Sequence, residues 1–304
     1  MYNTIIATRS IGKEYGSQKA LSDINISIKP GEIYGLVGNN GAGKTTLLRI
    51  ITGQAFATEG DLSLFDKTSQ VDIVKTRRRI GSLIETPGFF LNMTAKQNLE
   101  YFRLQFGIPG KERVEEVLQT VGLSGVGRKN VGGFSLGMKQ RLGIGLALLG
   151  NPELLILDEP INGLDPTGII EIRNLLLKLN KEKNITILIS SHILTELANV
   201  VTQYGFLNRG VMLEQISAEN LAKKCESYLE IKVSNVEKFT AALETDLSMV
   251  NYKIYPDQTV HIYESLDKPE RVSMLAARHG IPIMSLNVKS VDIENYYMTL
   301  LGGC

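Results

Sequence analysis

The stretch GNNGAGKTT, at residues 38–46, contains residue types that can hold a phosphate group. It fits the pattern G-x-x-x-x-G-K-[ST] and lies between a predicted strand at 32–37 and a predicted helix that starts at Lys44. Glycines let the backbone wrap an anion without Cβ clashes, and the loop amides and the helix N-terminus then point at that anion. The spacing predicts a phosphate-binding loop formed by Gly38, Asn39, Asn40, Gly41, Ala42, Gly43, Lys44, Thr45 and Thr46.

Three side chains of this loop have roles that follow from phosphate chemistry. We expect Lys44 to bind the β- and γ-phosphates as a point charge, Thr45 to offer its hydroxyl to Mg²⁺, and Thr46 to reach the α-phosphate. The alternative is a glycine-rich turn with an incidental lysine. The complete pattern in a strand–loop–helix context favours the nucleotide site over that alternative.

The apolar run ELLILDEP, at 153–160, ends in two acidic side chains, which supply the carboxylate that a magnesium site requires. The apolar run before them predicts a buried parallel strand. We expect Asp158 to hold Mg²⁺ through water and Glu159 to polarise the water that attacks the γ-phosphate. In isolation, two acids after a strand are commonly a charge pair at a helix N-terminus, but the complete phosphate loop favours the metal site.

The composition is that of an ordinary globular protein of 304 residues, 43 % apolar and 21 % charged. The net charge is +1, so bulk charge gives no reason to expect nucleic acid as a partner. The two cysteines, Cys225 and Cys304, lie far apart, which argues against a disulfide framework and fits a reducing compartment. The sequence shows no signal pattern and no run of about 18 apolar residues, so we expect another chain to supply any membrane span.

Apolar patterning predicts the elements that must position these residues. Strands alternate with helices, which indicates an α/β domain with a mainly parallel sheet core. A helical subdomain is predicted at about 88–145. The predicted strands are 24–28, 32–37, 153–160 and 185–191, and a further helix is predicted at 169–183.

The character of the sequence changes near 217–227. From there the predicted order is strand, helix, strand, strand, helix, strand and a closing helix, which indicates a small α+β domain of the ferredoxin-like kind. We therefore place one domain at 1–216 and a second at 220–304. The second contains no recognisable catalytic group of residues. Dimer stabilisation, regulation and passive packing remain its alternative roles.

Together, these motifs resemble the ATP-binding subunit of an ABC transporter over about 1–216. The resemblance implies ATP and Mg²⁺ as ligands, and it places Tyr15 of KEYG where the family stacks an aromatic ring on adenine. It also identifies FSLGMKQR, at 134–141, with the family signature, in which Ser135 and Gly137 are retained. Ser135 is also expected to cap the following helix, so a plain helix cap is the alternative to a second anion site there.

The resemblance further implies a twofold dimer, because the signature of one cassette faces the phosphate loop of the other. NGLDP, at 162–166, then corresponds to the loop that crosses the interface, with Asp165 as its acid. His192 corresponds to the histidine that contacts the γ-phosphate. A lone histidine at a strand end is often structural, but its position after a predicted buried strand favours the functional role.

The sequence departs from the family pattern at three positions. Leu136 replaces a glycine and Met138 a glutamine of the signature, and Glu85 in IGSLIETP (80–87) replaces the glutamine of the loop that contacts metal or water and the permease. An ionised glutamate accepts but does not donate hydrogen bonds. Glu85 is therefore expected either to bind Mg²⁺ more directly or to alter coupling to transport. The stretches SLIETPGFF (82–90) and FSLGMKQRLGIGLALLGNP (134–152) resemble those of ATPases that export bacitracin- and lantibiotic-type peptide antibiotics.

These observations predict an ATPase that dimerises around two MgATP and drives a separate membrane permease. The expected location is the cytoplasmic side of the cell membrane, as a peripheral subunit beside the permease and a second cassette. One alternative is a soluble ABC ATPase that acts on a protein or nucleic-acid assembly without a permease. Another is a regulatory module in which Glu85 and Leu136 have silenced hydrolysis; the joint presence of Lys44, Glu159 and His192 argues against it.

Overall fold

The computed structural model of the chain describes residues 2–85, 88–264, 266–289 and 293–302. Cys304 and the residues Thr86 and Pro87 of the loop that contains Glu85 lie outside this part of the chain. The chain divides into two compact units, Met1–Ala218 and Glu219–Cys304.

The first unit consists of two sheets with helices packed around them. Its strands are β1 (Ile6–Tyr15), β2 (Gln18–Ile24), β3 (Ser27–Ile28), β4 (Ile33–Val37), β5 (Glu59–Leu64), β6 (Ile80–Leu83), β7 (Leu154–Asp158), β8 (Thr186–Ser191), β9 (Gln203–Asn208) and β10 (Val211–Ser217). Its helices are α1 (Lys44–Thr52), α2 (Gln70–Thr76), α3 (Ala95–Gln105), α4 (Glu112–Thr120), α5 (Leu136–Leu148), α6 (Pro166–Lys183) and α7 (Leu194–Leu197).

The larger sheet has the order β10-β9-β4-β8-β7-β6, and all its pairs are parallel except β9 with β10. β4 and β8 are buried along their whole length, as expected for parallel strands covered on both faces. In the register, Val37 pairs with Ser191, and Asp158 pairs with Ser190. The carboxyl ends of three neighbouring strands therefore coincide, which brings the phosphate loop, the Asp158–Glu159 pair and His192 to one edge.

A second, antiparallel sheet joins β1 to β2, β3 and β5. Apolar patterning does not predict this sheet. Register irregularities interrupt the pairing of β1 with β2 and with β5, so apolar residues do not alternate regularly along these strands. Helix α1 packs between the two sheets, where Leu47 and Leu48 share a core with Ile11 of β1 and Ile156 of β7. This packing fixes the helix that follows the phosphate loop.

The strand predicted at 24–28 is wrong in detail, since β2 ends at Ile24 and β3 contains two residues. Asp23 has a φ of 52°, and Asn25 accepts a hydrogen bond from the Ser10 amide at 2.8 Å and donates one to the Asp23 carbonyl at 3.0 Å. Such local bonds between side chain and backbone compete with a continuous strand. The predicted strand 32–37 and the predicted helix from Lys44 agree with β4 and α1 to within one residue.

The predicted helical region corresponds to α3, α4 and α5. Helix α3 begins at a capping box of Thr94 and Gln97. Arg103 of α3 is buried, pairs with Glu100 and donates a hydrogen bond to the carbonyl of Ile108, so this charge stabilises the turn that follows the helix. Helix α5 begins at Leu136, directly after Ser135, which provides the expected N-cap.

The second unit contains β11 (Tyr228–Val233), α9 (Val236–Leu247), β12 (Tyr252–Ile254), β13 (Thr259–Ile262), α10 (Pro269–Arg278), β14 (Ile283–Lys289) and α11 (Ile293–Leu300), after α8 (Ala218–Lys224) at the boundary. The sheet order is β12-β13-β11-β14, and all its pairs are antiparallel. Alternate residues of β11 and β13 form one core with α9 and α10. This order and pairing are those expected of a ferredoxin-like arrangement.

Among the residues that the structure describes, none of the helices combines the length and the apolar character that a membrane span requires.

Candidate nucleotide-binding site

The loop between β4 and α1 has a backbone that requires glycine at particular positions. A Cβ on Gly38 would lie 2.3 Å from the carbonyl oxygen of Leu207, so no larger residue fits there. Gly43 has a φ of 106°, in a region that side chains disfavour. The Ala42 amide donates to the Asn39 carbonyl at 3.0 Å, which closes the loop. The sequence pattern thus produces a tight turn at the N-terminus of α1.

Lys44 lies beneath this loop with only 4 % of its side chain exposed. Its Nζ donates to the carbonyl oxygens of Gly38 at 2.6 Å and Asn39 at 3.2 Å. It also forms an ion pair with Glu159 Oε1 at 3.1 Å. A buried ammonium requires such partners because it has lost its water. The charge of Lys44 is therefore held at a fixed point below the loop.

Thr45 and Asp158 meet as the sequence predicts for a metal site. Thr45 Oγ1 donates to Asp158 Oδ2 at 2.7 Å. The other carboxylate oxygen, Oδ1, accepts a hydrogen bond from the buried Ser190 at 2.5 Å. Ser190 was not anticipated as a site residue, since only the register of β7 with β8 places it opposite Asp158. Its hydroxyl fixes the orientation of the carboxylate.

The Glu159 carboxylate is surrounded by hydrogen-bonding partners. Oε2 lies 2.9 Å from His192 Nδ1 and accepts from Asn162 Nδ2 at 3.2 Å, while Oε1 contacts Lys44. The backbone of Glu159 has a φ of 45°, and its amide donates to Ser190 Oγ at 2.9 Å. Glu159, His192 and Lys44 are thus brought together, and Asn162 is an additional member of this group that sequence reasoning missed.

The segment after His192 is anchored by Arg173 of α6, which donates to the carbonyl oxygens of Glu196 at 2.6 Å and Thr195 at 2.7 Å. Burial raises the pKa of the Glu196 carboxyl, whereas the nearby charges of His192 and Arg173 act in the opposite direction. Glu196 is therefore easier to protonate than an ordinary glutamate.

Tyr15 lines the same cavity as the phosphate-loop residues, and its side chain is exposed. Lys13 Nζ lies over its ring, 4.7 Å from the centroid. The cavity has a volume of about 510 Å³. It is lined by Tyr15, Gln18, Lys19, Ala20, Asn40, Gly41, Ala42, Gly43, Lys44, Thr45, Thr46, Glu159 and Arg209. An aromatic ring, a buried cation, hydroxyl groups and loop amides in one cavity fit a nucleoside triphosphate.

Ser135, Gly137 and Asp165 do not line this cavity. Ser135 caps α5 by accepting from the Met138 amide at 3.3 Å, and Asp165 caps α6 by accepting from the Gly168 amide at 3.2 Å. A Cβ on Gly137 would lie 3.8 Å from Leu164 Cδ2, so the two helix starts are neighbours. The structure thus places these predicted residues on a separate surface, where two helix N-termini lie together.

Glu85 is not brought to Thr45 and Asp158. Its carboxylate instead forms an ion pair with Arg49 of α1. Arg49 lies four residues after Thr45, one helical turn further along the same face. The backbone of Glu85 has a φ of 66°, and its side chain is 67 % exposed. No local sequence pattern predicts this arginine partner.

The parallel sheet, the phosphate loop and the Asp158–Glu159 pair define a P-loop ATPase. The model of the ABC transporter family matches residues 21–162. The chain is 43 % identical to the bacitracin transport ATP-binding protein BcrA of Bacillus licheniformis, over 99 % of this chain and 98 % of BcrA. It is 39 % identical to the lantibiotic transport ATP-binding protein SrtF of Streptococcus pyogenes, over 71 % of this chain and 94 % of SrtF.

A similar solved structure is the dimeric ATP-binding cassette MJ0796 in a post-hydrolysis state with ADP and Pi, with 26 % identity and a TM-score of 0.62. The alignment covers 70 % of this chain and 98 % of MJ0796. The chain belongs to the ABC transporter family, as an ATP-binding subunit that hydrolyses ATP and uses Mg²⁺.

We predict that Lys44→Ala lowers ATP turnover by at least about 100-fold, because the site loses a fixed cation that stabilises the phosphates. Turnover and binding of a fluorescent ATP analogue should be measured on the purified chain, with thermal unfolding as a check of folding. Lys178→Ala is the control, since Lys178 is an exposed lysine of α6 outside the cavity. Undiminished turnover by the folded Lys44 variant would contradict the site assignment.

Proposed function

We propose that the chain supplies energy to a separate membrane permease that exports a peptide antibiotic. The observation that carries this proposal is the similarity to a bacitracin transport ATP-binding protein across 99 % of this chain, including its second unit. The lantibiotic transport protein adds a second relative whose printed role concerns a peptide antibiotic. On this proposal, the chain lies at the cytoplasmic face of the cell membrane, bound to the permease.

The residues of the candidate site have separate roles in ATP binding and hydrolysis. The loop amides and Lys44 bind the phosphate chain, and Tyr15 stacks on the adenine ring. Thr45 and Asp158 would hold Mg²⁺, which matches the preference of this ion for one or two protein ligands beside waters and phosphates. The bound ion would neutralise negative charge on the phosphates.

Glu159 acts as the general base, and His192 positions it. In the structure, Glu159 uses one carboxylate oxygen for Lys44 and the other for His192 and Asn162. Phosphate oxygens compete with Glu159 for the Lys44 ammonium, since both are anionic acceptors. The oxygen that leaves Lys44 is then available to accept a proton from the attacking water.

The second surface, with Ser135, Gly137 and Asp165, completes the site of another copy. These residues lie outside the cavity of their own chain, so a twofold dimer is the arrangement in which both sites receive them at once. The N-terminus of α5 then faces the phosphates bound by the partner.

We predict that Glu159→Gln binds ATP, loses about 1,000-fold in hydrolysis because the general base is gone, and accumulates as a dimer with MgATP. Light scattering coupled to size exclusion should detect the dimer. The double variant with Lys44→Ala is the control and should remain monomeric. A Glu159→Gln protein that binds ATP but stays monomeric at high concentration would rule out an ATP site formed by two copies of the chain (the two-copy site).

The loop of Glu85 and the helical region after it form the proposed permease-docking surface. Several large apolar side chains of this region are exposed, among them Leu91 at 58 %, Leu104 at 63 % and Phe106 at 57 %. Phe106 also lines a cavity of about 610 Å³ together with Ile80 of β6 and Leu146 of α5. Phe106 contacts Phe102, which contacts Tyr101, so part of this apolar area is continuous. Continuous exposed apolar area marks protein interaction sites. The Arg49–Glu85 pair then links the loop of Glu85, on the proposed docking surface, to α1, the helix that carries Thr45.

We predict that Glu85→Gln leaves the ATPase activity of the isolated chain within about twofold, because an exposed ion pair contributes little to stability. In the assembled transporter it should change the amount of substrate exported per ATP. Arg49→Gln removes the same pair from the other side, so it should cause the same change, and the double variant should be no worse. Equal export per ATP in all four proteins would show that the pair has no coupling role.

The whole proposal is tested by affinity purification of the tagged chain from detergent-solubilised membranes. We predict a polytopic membrane protein in stoichiometric amount, and deletion of its gene should raise sensitivity to peptide antibiotics. Purification of an unrelated membrane complex from the same extract serves as the control. Recovery of soluble partners alone, with that control intact, would instead indicate an ABC ATPase without a permease.

A further inference from the structure

The turn between β9 and β10 contains an arginine where turn chemistry favours another residue. Asn208 and Val211 pair across the hairpin, and the two central residues, Arg209 and Gly210, have φ values of 46° and 78°. Two positive φ values in succession are the pattern of a type I′ turn, which prefers asparagine before glycine. An arginine in the left-handed region is disfavoured because its Cβ crowds the carbonyl oxygen. The preference of the backbone does not explain Arg209.

This turn is attached directly to the phosphate loop. The Gly210 amide donates to the carbonyl of Ala42 at 2.8 Å, and the Gly210 carbonyl accepts from the Ser22 amide at 2.7 Å. A Cβ on Gly210 would lie 2.6 Å from the carbonyl oxygen of Ala20, so the turn approaches β2 closely. The backbone of Arg209 is therefore fixed relative to the part of the loop that surrounds the phosphates.

The side chain of Arg209 lines the same cavity as Lys44 and Tyr15, and it is exposed. Within the described part of the chain it makes no hydrogen bond or ion pair. By contrast, Arg79 pairs with Glu153 and Arg103 with Glu100. An unpaired guanidinium that starts from a fixed backbone and lines this cavity remains available for a ligand.

We propose that Arg209 is an additional ATP ligand, whose guanidinium binds phosphate oxygens at the mouth of the phosphate loop. Its planar set of donors matches phosphate geometry, which a lysine at that place would not reproduce. The turn is bonded to Ala42, whereas Tyr15 provides the surface for the base, so the phosphates are the part of the nucleotide that Arg209 reaches. The inference depends on the cavity being the ATP site and adds to it a residue from outside the phosphate loop.

The test uses Arg209→Asn in the full chain, because asparagine before Gly210 is the favoured turn sequence and lacks the charge. ATP affinity, measured by equilibrium binding, should fall about tenfold, as expected for loss of a hydrogen bond to a charged group. The thermal midpoint should stay the same or rise, so affinity and stability move independently. Competition by inorganic tripolyphosphate should weaken to the same degree, and competition by adenosine should not change.

Two further variants serve as controls. Arg128→Asn removes an exposed arginine that lies outside the cavity and should leave ATP binding unchanged. Arg209→Lys keeps a charge in an equally disfavoured turn, so it should retain part of the affinity. If Arg209→Asn loses stability as well, the ATP affinity of Arg209→Lys decides between the outcomes. An affinity between those of the wild type and the asparagine variant supports the proposal. An affinity equal to that of the asparagine variant overturns it.

Unchanged ATP affinity in Arg209→Asn overturns the proposal while the ATP site itself stands. A loss of adenosine competition with tripolyphosphate competition intact also overturns it, because Arg209 would then contact the base. Failure of the wild-type chain to bind ATP would instead contradict the nucleotide site as a whole.

Discussion

The arrangement of the site depends on the buried ammonium of Lys44. Removing a charged group from water costs several kcal/mol unless acceptors replace that water, and here the acceptors come from two different segments. The carbonyl oxygens of Gly38 and Asn39 accept hydrogen bonds from the lysine, which holds the loop close to it. The ion pair with Glu159 connects the lysine to the end of β7. One charge thus fixes the shape of the loop and its distance from the acidic pair.

The features of the fold and of the site that depend on contiguous residues could be predicted from the sequence. The loop pattern predicts α1 to within one residue, and apolar runs predict β7 and β8, with Asp158 and Glu159 at the end of β7. Features that depend on register could not be predicted, since no local pattern states that Ser190 faces Asp158. The same holds for the bond of Arg49 to Glu85 and for the turn that carries Arg209. The antiparallel sheet was missed because its irregular pairing interrupts the alternation of apolar residues.

Three charged residues around the site, Glu85, Glu159 and Arg209, have a positive φ. Each would be replaced at lower conformational cost by glycine or asparagine, and the left-handed region costs about 1–2 kcal/mol for other residues. Backbone hydrogen bonds stabilise two of these segments: Ser190 accepts from the Glu159 amide, and Gly210 is bonded to Ala42 and Ser22. Strain of this kind concentrates at functional sites. We infer that the side chains, rather than the turns themselves, account for these residue types.

The leucine in the signature is informative about assembly. Leu136 is 49 % exposed, and a Cβ on Gly163 would lie 3.4 Å from its Cδ2, so an apolar side chain projects beside the loop that leads to Asp165. In a lone chain this exposure brings no stabilisation, because the side chain remains in water. The neighbouring helix starts also leave backbone amides without partners inside their own helices. A surface that combines exposed apolar area with anion-binding amides is suited to a second copy that brings both a hydrophobic contact and bound phosphates. The departure from glycine at 136 is therefore consistent with a working two-copy site, in which its apolar area becomes buried.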